Sequence, residues 1–302
     1  MLRGARSGLI ASTAVAPLSW GTTYLVTTEW LPPDRPLLSG ALRALPAGLI
    51  AVALARRLPH GHWWWRAALL GILNIGVFFA LLFVAAYRLP GGTAAILGAT
   101  SPLVVAALAS VLLHERPGRR RVGWAIVGIA GVGLMVLQPG AHLDPFGVAA
   151  GLGGTVSMSA GIVLTRKWGN PVGALPFAGW QLTAGGLFLL PLALLLEGPP
   201  PTLSLPAIGG YTWLGVVGAL LAYTLWFRGI GRLPVTAVSF LTLLSPIVAA
   251  ALGWAVLGQD LNGTQAVGLA LALVAVVAAQ APGRHQVRST TPPDEHRVSA
   301  HH

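Results

Sequence analysis

The sequence predicts an all-α membrane protein of ten transmembrane helices arranged as two inverted five-helix repeats. Three observations carry this. Charged residues are only 9% of the 302 positions, against roughly a quarter in soluble domains, and the mean hydropathy is +0.73. One stretch is used twice: Arg88 to Arg116 and Arg232 to Asp260, offset by 144, are identical at 11 of 29 positions. Of the 19 Lys and Arg residues, 16 fall on one side when the chain is threaded through a bilayer with its N-terminus inside.

Composition sets the remaining bounds. Eleven Trp, 39 Gly and 23 Pro suit spanning helices, which tolerate Gly and Pro and place Trp at the interfaces. The absence of Cys excludes disulfides and thiol chemistry. A net charge of +11 would suggest nucleic acid in a soluble chain. Here the charges occupy short loops between apolar runs, where they set orientation instead.

Taken in order, the spans are 8–28, 36–55, 67–86, 92–113, 122–138, 146–165, 174–196, 208–228, 235–257 and 264–281. Each is about the length that a bilayer needs. The first follows Arg3 and Arg6 and has the outline of a signal peptide, but the repeat requires it as a helix. The second contains Arg43. The third follows His60-Gly61-His62-Trp63-Trp64-Trp65-Arg66, which reads as an interfacial Trp and Arg girdle rather than a metal site. The fourth is the first copy of the duplicated stretch, and the ninth is the second. The fifth follows Arg119-Arg120-Arg121, an inside anchor. The halves divide as 1–139 and 140–281, and the polar segment 282–302 reads as a disordered cytoplasmic tail.

Five spans are an odd number, so the second half enters from the opposite side. Arg88 falls outside and Arg232 inside, although both open the same Arg-Leu-Pro motif. Both termini are then cytoplasmic. Inverted repeats of this kind mark secondary transporters, with the substrate near the mid-plane between the halves.

Residues that can carry function follow from this frame. Pro102 and Pro246 each sit in mid-span, where a proline frees the carbonyl four residues earlier, on Gly98 and Thr242. With Ser101 and Ser245 they read as paired hinges, or otherwise as static kinks. Arg43 is an ionised residue about 10 Å inside its span at 1.5 Å per residue. Such a charge either faces a cavity or snorkels outward toward Glu29 or Asp34. Trp20, Tyr24, Phe78, Phe79, Tyr223 and Trp226 are candidate apolar walls, and Asn74 a candidate polar contact. The offset of 144 places Phe79 on Tyr223 and Phe83 on Phe227. No span has a central Asp or Glu, so an obvious proton relay is missing. Walker, metal-ligand and catalytic clusters are absent too, so no cofactor or metal is expected.

Several motifs resemble one family. Trp20-Gly21-Thr22-Thr23-Tyr24, and Ala41-Leu42-Arg43 with Pro46-Ala47-Gly48, are similar to the opening of the drug/metabolite transporter superfamily. Thr93 to Arg116, with its Ser-Pro and closing Glu-Arg, looks like the EamA domain, and so does Ala237 to Asp260. The likeness covers about residues 8 to 281. It implies ten helices in two inverted repeats and metabolite export, and the chain looks most like YddG-type exporters of aromatic amino acids. Gln259 departs from the pattern, because the family carries Glu there.

The reading is an inner-membrane carrier, functional as a monomer in the lipid bilayer. It exports small amphipathic metabolites, amino acids including aromatic ones, by alternating access. The expected cavity lies among helices one, three, four, six, eight and nine. Rival readings are a multidrug or cation exporter, a membrane-embedded enzyme or lipid-handling protein, and a structural subunit.

Overall fold

The computed structural model describes residues 2–88, 97–115, 118–136, 144–200, 202–257 and 263–280. The start of the fourth span, the junction near 139, Gln259 with Asp260, and the tail from Pro282 lie outside these residues. Among those described, helices and their connecting turns make up the whole fold, with no strand.

In chain order the helices are α1 (Leu2–Gly21), α2 (Thr23–Trp30), α3 (Pro36–Ala55), α4 (Trp63–Gly71), α5 (Phe78–Arg88), α6 (Ser101–Leu112) and α7 (Arg119–Val136), followed by α8 (Pro145–Trp168), α9 (Ala174–Leu196), α10 (Leu205–Gly215), α11 (Ala222–Arg232), α12 (Val235–Leu241), α13 (Leu244–Leu257) and α14 (Gly263–Gln280). Eight helical stretches among the described residues are long and apolar enough to cross a membrane. Leu97–Leu112 is apolar but shorter, and α7 opens on three arginines. The chain is a multi-pass membrane protein.

Three features depart from the straight spans that the sequence predicts. The first span is broken at Thr22, which separates α1 from α2. The broken end is packed so tightly that a Cβ on Gly21 would meet Val248 at 2.5 Å and the Ser245 carbonyl at 2.7 Å.

The fourth and ninth spans are interrupted rather than kinked. Pro102 stands in the first turn of α6, after a turn at Thr100. Pro246 stands in the first turn of α13, after a turn at Thr242 and Leu243. A proline in a first turn lacks only an N–H that the helix does not use. The Thr242 carbonyl, expected to be orphaned, accepts from Ser245 N at 3.1 Å.

Finally, the third and eighth spans each contain a π-helical turn, Ile72–Val77 and Val216–Leu221. The two turns are offset by the same 144 residues as the duplicated stretch.

Packing follows a repeated pattern. The most extensive contact joins α3 to α9, and the next joins α7 to α14. Also, α5 packs on α8 as α11 packs on α1, and α6 packs on α8 as α13 packs on α1. Lipid tails remove the hydrophobic drive for helix association, so close approach at small residues carries it. Gly48 abuts the Thr183 backbone, and a Cβ on Gly186 would lie 2.7 Å from Leu45 N. Gly131 similarly admits Ala272 N at 2.7 Å from a Cβ position. A larger side chain at any of these would separate the paired helices.

Two carboxylates anchor helix starts. Asp144 caps α8 through Phe146 N and pairs with Arg88 at 3.2 Å. The Arg88 guanidinium, aided by that backbone N–H, holds the Asp144 carboxyl below the usual carboxylate range. Glu197, at the end of α9, accepts from Leu37 N at 2.6 Å and Leu38 N at 2.9 Å. It therefore serves as a remote N-cap for α3, while Arg35 donates to the Pro199 carbonyl at 2.7 Å. Glu197→Gln keeps one acceptor and loses the charge beside the helix N-terminus. It should lower stability by about 1 kcal/mol, read as a fall in the melting temperature of detergent-purified protein. An unchanged melting temperature would remove the cap from the account.

Candidate functional site

A cavity of about 640 Å³ lies within the bundle, inside the range for small-molecule sites. Its mouth is the loop that joins α2 to α3, where Leu31, Pro32, Pro33 and Asp34 line it. Deeper walls come from Trp20, Thr23 and Thr27, from Phe78, Phe79 and Leu82, from Ala99 and Ser101, and from Gly154, Thr155 and Met158. Tyr223, Thr242, Ser245 and Pro246 complete it. Spans one, three, four, six, eight and nine thus all contribute, and span two adds Arg43. Asp34 and Arg43 are the ionisable lining groups apart from the Tyr223 phenol, with Asp34 at the mouth.

Arg43 is buried, with 5% of its surface exposed. Its Nη2 donates to the Gly218 carbonyl at 2.9 Å, and its Nη1 lies 3.3 Å from Thr23 Oγ1. The guanidinium carbon sits 5.0 Å from the centre of the Phe79 ring. Nε has no partner among the described residues. The outward pairing with Glu29 or Asp34, the alternative open to the sequence, is not formed.

The π turn explains why Gly218 can accept. In this turn Ala222 N bonds to the carbonyls of Val217 and Ala219. The Gly218 carbonyl is bypassed by that N–H and receives Trp20 Nε1 at 3.0 Å together with Arg43. Glycine also leaves room, because a Cβ there would lie only 3.3 Å from Arg43 Nη2.

The aromatic residues form a continuous file. Trp20 packs on Tyr223 at 5.2 Å and edge-on to Trp226 at 5.2 Å. Tyr223 meets Phe227, Phe227 meets Phe177, and Phe177 meets Trp63, at 5.7, 5.5 and 5.8 Å. Trp63 follows the C-terminal end of α3, whereas the mouth precedes its start. The file therefore runs from the cavity toward the opposite end of the bundle.

Of the residues singled out from sequence, Trp20, Arg43, Phe78, Phe79, Tyr223, Ser101, Ser245 and Pro246 line the cavity. Trp226 lies behind Trp20. Pro102 is buried and outside the lining. Asn74 is 2% exposed and is not at the wall: its Nδ2 donates to Gln181 Oε1 at 2.8 Å. The π turn that contains it rotates it toward α9. Tyr24 and Phe83 lie on α2 and α5, with side chains outside those described. Sequence reasoning missed Thr23, Thr155, Met158 and the Gly218 carbonyl. The last had one available signal, since the 144 offset pairs Gly218 with Asn74.

Helices enclosing a mid-bundle cavity with a buried cation and aromatic walls have the build of a membrane transporter. The chain belongs to the EamA-like transporter family, which matches residues 7–137 and again 145–279, within the drug/metabolite transporter superfamily. That family match makes the chain a transporter and not an enzyme. It is 46% identical over 267 residues to Protein PecM of Dickeya dadantii, covering 88% of this chain and 90% of that protein. It is 26% identical over 269 residues to a probable amino-acid metabolite efflux pump of Salmonella typhimurium, covering 83% and 88%. A crystal structure 23% identical in sequence superposes with a TM-score of 0.77 over 90% of this chain and 96% of its own, a likeness of fold.

Proposed function

We propose that the chain exports small amphipathic metabolites, amino acids with aromatic side chains among them, by alternating access across a bacterial inner membrane. The observation that carries this is Arg43: a buried cation in an aromatic-walled cavity suits a carboxylate joined to an apolar or flat body. The cargo of YddG-type exporters has that form, and the efflux pump of Salmonella typhimurium bears an amino-acid name.

The same reading takes ten membrane crossings, adding Leu97–Leu112 and α7 to the eight longer stretches. The crossings form two inverted repeats, 1–139 and 140–281. The offset π turns and the recurring packing pairs support the inversion. Both termini are cytoplasmic by the distribution of Lys and Arg, so the Leu31–Asp34 mouth faces outward. A single chain encloses the cavity, and the carrier works as a monomer. Ser101, Pro102, Ser245 and Pro246 are the hinges where span four and span nine change direction.

Purified protein in liposomes, offered a panel of labelled amino acids and organic cations with and without a pH gradient, tests this. Saturable flux of phenylalanine or tryptophan, absent from empty liposomes, is expected. Flux of quaternary cations alone would instead favour the multidrug reading.

A further inference from the structure

The two π turns are met by matching pairs of side chains. The Gly218 carbonyl accepts from Trp20 of α1 and Arg43 of α3. Asn74 stands 144 residues before Gly218. Its Nδ2 donates to Gln181 Oε1 on α9 at 2.8 Å and lies 3.5 Å from Thr165 Oγ1 on α8. The first pair comes from the first two spans of the first half. The second pair comes from the first two spans of the second half. One cluster lines the cavity. The other is sealed, with Gln181 at 0% exposure.

The sealed cluster keeps an unused donor. Gln181 Nε2 is buried and has no hydrogen-bond partner among the described residues. An unsatisfied amide N–H away from water costs roughly 1–3 kcal/mol, and more where lipid surrounds the protein. An apolar residue would pack there without that cost. Gly161 packs directly on Asn74, since a Cβ there would clash with the Asn74 amide, 2.5 Å from its Cγ. Between this cluster and the far end of the bundle stand Phe177 and Trp63, members of the aromatic file. Phe177 lies one turn before Gln181 on α9.

We propose that Asn74, Thr165 and Gln181 form a second substrate anchor, which opens to the end of the bundle opposite the Leu31–Asp34 mouth and takes the carboxylate of the amphipathic substrate. The inference rests on the carrier reading above. In that state Phe177 and Trp63 part, and Gln181 Nε2 and Asn74 Nδ2 donate to the carboxylate, the role that the carrier reading gives to Arg43 in the outward cavity. Neutral amides hold a carboxylate less tightly than a guanidinium, so the two faces differ in apparent affinity.

The chain contains no Cys, so single cysteines report without background. Thr28→Cys, Gln181→Cys and, as a second reporter, Thr165→Cys are reconstituted in oriented liposomes and treated with a membrane-impermeant thiosulfonate. Thr28→Cys, at an exposed lining position next to the Leu31–Asp34 mouth, is labelled from the mouth face. Gln181→Cys and Thr165→Cys are expected to be labelled from the opposite face, and phenylalanine should slow the labelling of Thr165→Cys, which keeps both amide donors, several-fold. Denatured protein that labels fully shows that the thiols are intact. Two silent reporters in folded protein, or labelling from the mouth face, overturn the second anchor. So does Thr165→Cys labelling that phenylalanine leaves unchanged. Phenylalanine flux by the unsubstituted chain is measured in parallel. That flux decides the carrier reading, and the labelling decides the anchor.

Discussion

Arg43→Ala should lower kcat/KM for phenylalanine transport by on the order of 30- to 150-fold, corresponding to about 2–3 kcal/mol for a charge-assisted hydrogen bond in a desolvated site. The loss is expected mainly in KM, because the guanidinium holds the bound substrate. The fold should survive. Removing the guanidinium also removes the cost of burying a charge, and the Gly218 carbonyl keeps Trp20 Nε1 as a donor. Arg43→Lys should recover only part of the activity. A lysine is a point charge on a flexible stem, and cannot reach Gly218 and Thr23 together while sitting over the Phe79 ring. Initial rates in liposomes over a range of substrate concentration, with gel-filtration profiles for each variant, check this. Near-normal flux from Arg43→Ala would make the arginine a packing element, as a snorkelling side chain would be.

The sequence disclosed the architecture more readily than the site, for physical reasons. Span positions are set by runs of apolar residues and by where charge is tolerated, and both are local in sequence. Leu2–Trp30 and Leu205–Arg232 outrun the predicted 8–28 and 208–228 because helices continue beyond the apolar core into the interface. The aromatic walls were legible because Phe79 and Tyr223 share a register. The helix breaks were half legible. Proline marks the place, but whether it bends a helix or begins one depends on the turn before it, where Thr100 Oγ1 and Thr242 Oγ1 each bond to the carbonyl three residues earlier, on Leu97 and Ser239. The π turns were not legible at all. Their one-residue excess has no composition, yet it moves Asn74 out of the wall and turns the Gly218 carbonyl toward Arg43. Glu197 was hidden for another reason: it caps a helix 160 residues away in sequence.

Pro246→Ala and Pro102→Ala should each slow transport by roughly tenfold while leaving stability unchanged or slightly higher. Alanine restores an N–H at the first turn of α13. That N–H can take the Thr242 carbonyl, which now accepts from Ser245 N, and alanine, unlike proline, lets a helix run on through this position. The turn at Thr242 and Leu243 then closes into continuous helix. Thr242 and Ser245 both line the cavity, so a straightened helix changes its wall as well as its freedom to bend. The same argument holds at Pro102, where the turn at Thr100 precedes α6 and Ser101 Oγ lies 3.2 Å from Ser159 Oγ on α8. Glycine separates the hinge from a fixed bend. It also restores the N–H, but costs the helix about 1 kcal/mol relative to alanine, so the interruption persists without the ring. A hinge predicts that Pro246→Gly keeps most of its flux while Pro246→Ala loses it. A fixed bend that only shapes the wall needs the rigid ring, and predicts that both variants fall together. Flux unchanged in both alanine variants would leave neither proline a part in transport.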